Sequence, residues 1–177
     1  FPNLGIKINN ITVLGIDSFA KDTLANIKQL QLNVNLMSVI KGEKYEIKSI
    51  NLEEPKILAK VLKSGQANWD IAKKDTSATE GTDTAKTAFK VALQKYAIEK
   101  GKVVYDDASL GFFMEMDNLN HTGTGDFTQD LFTLKTQSDI EKLTVKYGGI
   151  PYLNKVKLDA DLPIDIDMKN MKFTFAE

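Results

Sequence analysis

Apolar and polar residues alternate along most of this chain, and this pattern constrains the fold more than any other feature. A period of two places successive side chains on opposite sides of an extended strand, so each alternating segment predicts a strand with one apolar face. The alternating segments are IKINNITV, LQLNVNL, IKSINL, KILAKVL, KVVY, LGFFMEM, LFTLKT, KLTVKY and VKLDADLPIDIDM. Short turn signals such as Ser64–Gly65 and Gly148–Gly149 separate many of them. We therefore predict an all-β, mostly antiparallel meander.

Several shorter signals refine this prediction. The Glu54–Pro55 step and the Lys100–Gly101 pair interrupt apolar segments, and they predict two further strand ends. NLMSVIKG predicts a short helical turn that ends at Gly42. His121 is the only histidine, and its surroundings, LNHTGTGD, are typical of an exposed polar turn.

A polar segment near the middle of the chain indicates two β-rich units. AKKDTSATEGTDTAK has few large apolar side chains, so we predict a flexible linker at residues 73–86. It would separate an N-terminal β unit at residues 1–72 from a second unit at residues 87–177 that continues the sheet. The next segment, TAFKVALQKYAI, contains residues that favour a helix, but alternation resumes directly after it, and we predict a strand.

Composition excludes several classes of function. The 23 basic and 24 acidic side chains nearly balance, and no basic cluster interleaves with aromatic residues, so we expect no nucleic-acid partner. With no cysteine and a single histidine, the chain offers no evident set of nucleophile, base and orienting group. Asp159 and Asp161 alternate with Leu158 and Leu162, which is typical of a solvated strand face. We expect no catalytic residue, metal or cofactor, and a protein that is not an enzyme.

The order of residues around the single tryptophan resembles the N-terminal region of the AsmA family. That region has an apolar strand with a short turn and a glycine, then strands of the form I-x-L-x-x-P-x-I, then G-x-x-N-W-D. The matching positions here are Leu36, Val39, Ile40, Gly42, Ile50, Leu52, Pro55, Ile57, Gly65, Asn68, Trp69 and Asp70. YAIEKGKVVYDD is similar to the family's next segment through Val103, Tyr105 and Asp107. The resemblance covers most of residues 4–116.

The resemblance implies a cellular location and a class of binding partner. It implies the periplasmic part of a Gram-negative envelope protein that is held in the inner membrane by an anchor outside this chain. It also implies kinship with chorein-like, bridge-type lipid-transfer proteins, in which strands curl into a groove with an apolar floor. We therefore expect a role in outer-membrane biogenesis, with phospholipid or another acyl-chain lipid as partner and envelope proteins as further partners.

Alternation alone leaves two architectures open, because a closed sandwich or barrel uses the same pattern as an open groove. The resemblance favours a curled sheet that forms a half-open groove or partial barrel. Its apolar floor is predicted to contain Leu32, Val34, Ile50, Leu52, Ile57, Phe112 and Met114. In the closed alternative, the chain is an interaction module that recruits envelope proteins through its strand edges.

The motif residues Gly42, Pro55, Gly65, Asn68, Trp69 and Asp70 are expected to be structural. We predict that Trp69 is a buried plug at the end of the sheet, with Asn68 and Asp70 bonding the amides of the turn.

Overall fold

Strands make up most of the chain that the computed structural model describes, which is residues 3–41, 46–71 and 93–175. The strands are β1 Asn3–Leu14, β2 Thr23–Asn35, β3 Ile47–Val61, β4 Lys95–Asp107, β5 Phe112–Thr124, β6 Leu131–Tyr147, β7 Ile150–Asp167 and β8 Lys172–Phe175. A 3-10 turn at Asp17–Phe19 and the helix α1 at Leu36–Lys41 complete the described elements. The predicted all-β fold is confirmed, as is the short helical turn before residue 42.

All eight strands belong to one sheet, and their order in space is their order along the chain. Every neighbouring pair is antiparallel except β3 and β4, which run parallel from Ser49 beside Lys95 to Val61 beside Asp107. The predicted meander is therefore interrupted once. A parallel pair needs a connection that returns along the length of the sheet. The predicted linker, residues 73–86, falls in this connection but lies outside the described residues, as do Gly42 and residues 87–92 of the predicted strand.

Two predicted turns are wrong, because the chain passes through both positions without leaving the sheet. Glu54 lies inside β3 and Lys100 lies inside β4, each with a positive φ, 47° and 53° respectively. In this left-handed conformation the backbone rotates locally, so that two residues of one face are separated by two positions instead of one. Leu52 and Pro55, for example, lie on the same face with Glu53 and Glu54 between them. IKSINL and KILAKVL are therefore one strand, and so are YAIEK and KVVY.

The same device recurs across the sheet, at a site that we call the polar step. In each of β1 to β7 two consecutive polar residues separate two residues of one face. The register places the steps of β1 to β4 side by side and those of β5 and β6 side by side, with an offset between β4 and β5, where Gly101 pairs with Leu119. The steps are Asn9–Asn10, Lys28–Gln29, Glu53–Glu54, Glu99–Lys100, Asp117–Asn118, Glu141–Lys142 and, offset along β7, Asn154–Lys155. The second residue has a positive φ in β1, β3, β4, β5 and β7.

The sheet is open, and the described residues form a single layer. The substantial contacts between elements run between neighbouring strands, apart from the packing of α1 on β2. The best-buried cluster, Leu119, Ile140 and Leu143, lies where β5 and β6 pair, and its flanks include Ile98 and Met116. The closed sandwich or barrel that the alternation left open is therefore not the architecture of the described chain.

Candidate functional site

One side of the sheet is apolar across all eight strands, and we call it the apolar face. Directly paired residues of neighbouring strands lie on the same face, so the register traces it. One row runs Ile8, Leu30, Leu52, Ile98, and another runs Tyr105, Met114, Val145, Leu153. The face continues to the last strand, where Ile166 pairs with Phe173.

The seven predicted floor residues all lie on this face. Leu32 pairs with Ile50, and Leu52 lies two residues further along the same strand. Val34 pairs with Ile47, and Ile57 lies between Ala25 and Val103. Met114 pairs with Tyr105, and Phe112 pairs with Asp107. Whether a lipid contacts them stays a prediction.

Much of the apolar face is exposed. Leu162 retains 45% of its accessible surface, Leu158 39% and, near the opposite edge, Ile8 44%. A buried cluster of this face, Leu119, Ile140 and Leu143, lies in the middle strands, and Val34 of β2 and Ile166 of β7 are also buried. Soluble monomers rarely expose a continuous apolar patch larger than about a few hundred Å². A ligand or partner that covers this face would remove an unfavourable exposure.

A polar group interrupts the apolar face near its middle. We call it the polar trio: Tyr96 of β4, His121 of β5 and Ser138 of β6, all half-buried. The Nδ1 of His121 lies 2.8 Å from the Oγ of Ser138, and its Nε2 lies 3.1 Å from the Oη of Tyr96. Burial lowers the pKa of His121 and raises the pKa of Tyr96, so both groups favour their neutral forms.

The expectation that His121 is an exposed loop residue is therefore wrong. Its strand, β5, runs to Thr124, and His121 pairs directly with Ile98 and Ser138. The sequence did hold a signal, because His121 follows Leu119 by two residues and so continues the apolar parity of its strand. Glycines on both sides of the position suggested a turn, but Gly123 is inside β5 with the Tyr96 ring over it.

The tryptophan lies at one end of the apolar face, but it is not a buried plug. Trp69 is 44% exposed and stacks on Tyr105 with their ring centroids 6.3 Å apart. The buried residue is its neighbour Asn68, which is 1% exposed. The ring centroid of Tyr105 lies 5.9 Å from that of Phe112, so Trp69 is at the end of a short row of aromatic rings.

Asn68 is buried because it completes the hydrogen bonding of β3. β2 pairs with β3 no further than Ile57, so the next backbone groups of β3 need another partner. The Oδ1 of Asn68 accepts from the N–H of Lys60 at 2.9 Å, its Nδ2 donates to the carbonyl of Leu58 at 2.6 Å, and its N–H donates to the Lys60 carbonyl at 2.9 Å. The turn at Gly65, with a φ of 81°, brings Asn68 back to the strand.

Asp107 has a structural role at the same end of the sheet. It is 5% exposed and accepts hydrogen bonds from the N–H and hydroxyl of Ser109 and from the N–H of Leu110. The Ser109 hydroxyl bond, with the others, holds the pKa of Asp107 below its usual value. The carboxylate therefore fixes the turn from β4 to β5.

The opposite face is polar, and the steps supply many of its ion pairs. Lys28 lies 2.8 Å from Glu53 and 2.7 Å from Glu54, and its hydrogen bonds to both raise its pKa. Asp159 and Asp161 also lie on this face, because Leu158 and Leu162 pair into the apolar one. Such exposed pairs contribute little stability each, but they keep this face solvated.

In residues 3–41, 46–71 and 93–175 no three His, Cys, Asp or Glu side chains are placed to hold a metal ion. Over the same ranges, no helix has the length and apolar character needed to cross a membrane.

Comparison with protein families gives the chain's relationship. The family model of the AsmA family matches residues 1–165 of the 177. The chain belongs to the AsmA family. The match extends the resemblance of residues 4–116 through β5, β6 and most of β7, so an AsmA sequence forms nearly the whole described sheet. Comparisons with curated proteins and with solved structures gave no match.

Proposed function

We propose that this AsmA-family chain binds the acyl chains of phospholipid along its apolar face. In this proposal it is the periplasmic part of a protein anchored in the inner membrane, and it contributes to outer-membrane biogenesis by sheltering or conducting lipid rather than by catalysis. The observation that carries the proposal is the continuous apolar face of an open sheet, with Ile8, Leu158 and Leu162 substantially exposed near opposite edges.

The test compares two neighbouring substitutions on β3. Ile50→Asp places a carboxylate on the apolar face, and Ser49→Asp places the same charge on the polar face, where the Asn33 amide already donates to Ser49 at 2.7 Å. Because the face is open, we expect both variants to remain folded. Ile50→Asp should weaken binding of a fluorescent phospholipid by about tenfold or more, equivalent to about 1.4 kcal/mol, and Ser49→Asp should leave it nearly unchanged.

Thermal unfolding is measured beside the binding. A folded Ile50→Asp variant with undiminished binding would defeat the proposal at this position. Equal loss in both variants would show that added charge, and not the apolar face, decides binding.

A second candidate function is protein recruitment through strand edges. It is favoured by the edges that the described strands leave open: β1 pairs only with β2, and β8 covers β7 only from Ile164 to Asp167. Native mass spectrometry of protein purified from membranes separates the two. Co-purified phospholipid supports the first, whereas a lipid-free protein bound to an envelope protein supports the second.

A further inference from the structure

The polar trio is unusual because it lies within an apolar surface. The row through His121 runs Ile98, His121, Ser138, Ala160, and the row beside it runs Tyr96, Gly123, Thr136, Leu162. None of these side chains carries a fixed charge. The trio is therefore a neutral hydrogen-bonding group among apolar and small residues.

A count of hydrogens shows that the trio cannot use all its donors internally. A neutral histidine contributes one N–H, and Tyr96 and Ser138 contribute one O–H each, whereas only two hydrogen bonds link the three side chains. If Nε2 carries the proton, it donates to Tyr96, Ser138 donates to Nδ1, and the Tyr96 O–H is free. If Nδ1 carries the proton, it donates to Ser138, Tyr96 donates to Nε2, and the Ser138 O–H is free.

One hydroxyl therefore remains a donor in either tautomer. Thr136, the nearest other hydroxyl of this face, differs, because its Oγ1 donates to the Leu162 carbonyl at 2.7 Å. A neutral donor suits a neutral acceptor, whereas a phosphate or carboxylate would call for a cation, which the two rows do not supply.

We propose that the free hydroxyl of the polar trio donates a hydrogen bond to the carbonyl oxygen of an ester-linked acyl chain lying on the apolar face. This inference rests on the proposed function, since the acyl chain must lie on the face for the trio to meet its ester. The trio would set where along the sheet the ester end of a chain comes to rest. The apolar residues around it would contact the hydrocarbon.

The test uses two pyrene-labelled probes of equal chain length, one a methyl ester and the other a plain alkane. Because an ester is better hydrated than an alkane, the quantity compared is the ratio of ester affinity to alkane affinity. This ratio should be about 2- to 10-fold higher in native protein than in a variant without the trio, which is the worth of one hydrogen bond. The variant with Tyr96→Phe, His121→Leu and Ser138→Ala together removes every donor of the trio. It should therefore have the lower ratio and keep its affinity for the alkane.

Thr136→Val is the matched control, because it removes a hydroxyl of the same face that is already donating. It should retain the native ratio of ester affinity to alkane affinity. If the triple variant does not fold, the infrared carbonyl band of the methyl ester bound to native protein gives the answer. We expect the carbonyl band at the frequency of a hydrogen-bonded ester in native protein and at the same frequency in Thr136→Val. A lower frequency in native protein than in Thr136→Val would indicate that Thr136 is the donor.

The outcomes separate the two proposals. If neither probe binds native protein, the proposed lipid function fails, and this inference fails with it. If the ratio is the same in native protein and in the folded triple variant, or the bound ester shows the band of an ester in dry hydrocarbon, lipid binding stands and the role of the trio is refuted.

Discussion

Replacing Asn68 should destabilise this protein more than replacing its neighbour, the only tryptophan. In Asn68→Ala the Lys60 N–H and the Leu58 carbonyl lose their side-chain partner in a place that is 1% exposed. A buried polar group left unpaired costs about 1–3 kcal/mol, so two cost about 2–6 kcal/mol. Truncating a fully buried large aromatic costs about 3–5 kcal/mol, and with Trp69 roughly half exposed we expect about 2 kcal/mol for Trp69→Ala.

Asn68→Asp separates the two hydrogen bonds. The carboxylate still accepts from Lys60, but it presents an oxygen to the Leu58 carbonyl in place of the donating amide. At neutral pH it should therefore destabilise the fold at least as much as Asn68→Ala. The loss should shrink in acid, because burial raises the pKa of the new carboxyl and its protonated form can donate to Leu58.

Urea unfolding followed by circular dichroism suits all the variants, since Trp69→Ala removes the fluorescence signal. The expected order of the unfolding free energies is native, then Trp69→Ala, then Asn68→Ala. If Trp69→Ala were the less stable of the two variants, the assignment of the structural role to Asn68 would be wrong.

Two further predictions concern the polar trio. Gly123→Ala would drive a methyl group into the Tyr96 ring and break the contact of that ring with His121, at a cost of about 1–3 kcal/mol. The control Gly5→Ala meets only the Asn33 amide oxygen at 3.8 Å and should change stability little. Equal unfolding midpoints of the two variants in urea would refute this prediction. Because burial lowers the pKa of His121 below 6.5, the unfolded chain binds the proton more readily, so the unfolding free energy should fall as the pH drops below 6.5 toward the lower folded pKa. His121→Gln should abolish that slope, and a slope that persists would assign it to another group, since the chain has no other histidine.

The strands could be predicted from alternation, but their lengths could not. In β3 the apolar face is held by Ile50 and Leu52 at even numbers and by Pro55 and Ile57 at odd numbers, and a change of parity beside a proline suggested two strands. The left-handed Glu54 instead keeps one strand on one face. The signal was present in the sequence, because the same apolar-x-x-apolar spacing with two polar residues between recurs in the neighbouring strands.

Direction and local burial were harder to predict. Alternation is identical for parallel and antiparallel neighbours, so the parallel pairing of β3 with β4 could not be inferred from it. Trp69 was predicted to be buried because tryptophan is large. Asn68 is buried instead, because the unpaired backbone groups of β3 need hydrogen-bond partners. The seven floor residues were placed on one face correctly because each lies within a segment of unbroken parity.

The polar steps also determine which insertions and deletions this sheet tolerates. Losing one residue of a step, for example Asn118, would leave Met116, Asp117 and Leu119 in regular alternation, so the residues after the step would keep their faces and His121 would stay in the trio. Losing both residues of a step would act like a frameshift, because Met116 and Leu119 would become adjacent and every side chain after the step would change face. Lengths in this lineage should therefore change by single residues at the steps and in the connections between strands, and by pairs elsewhere within the strands.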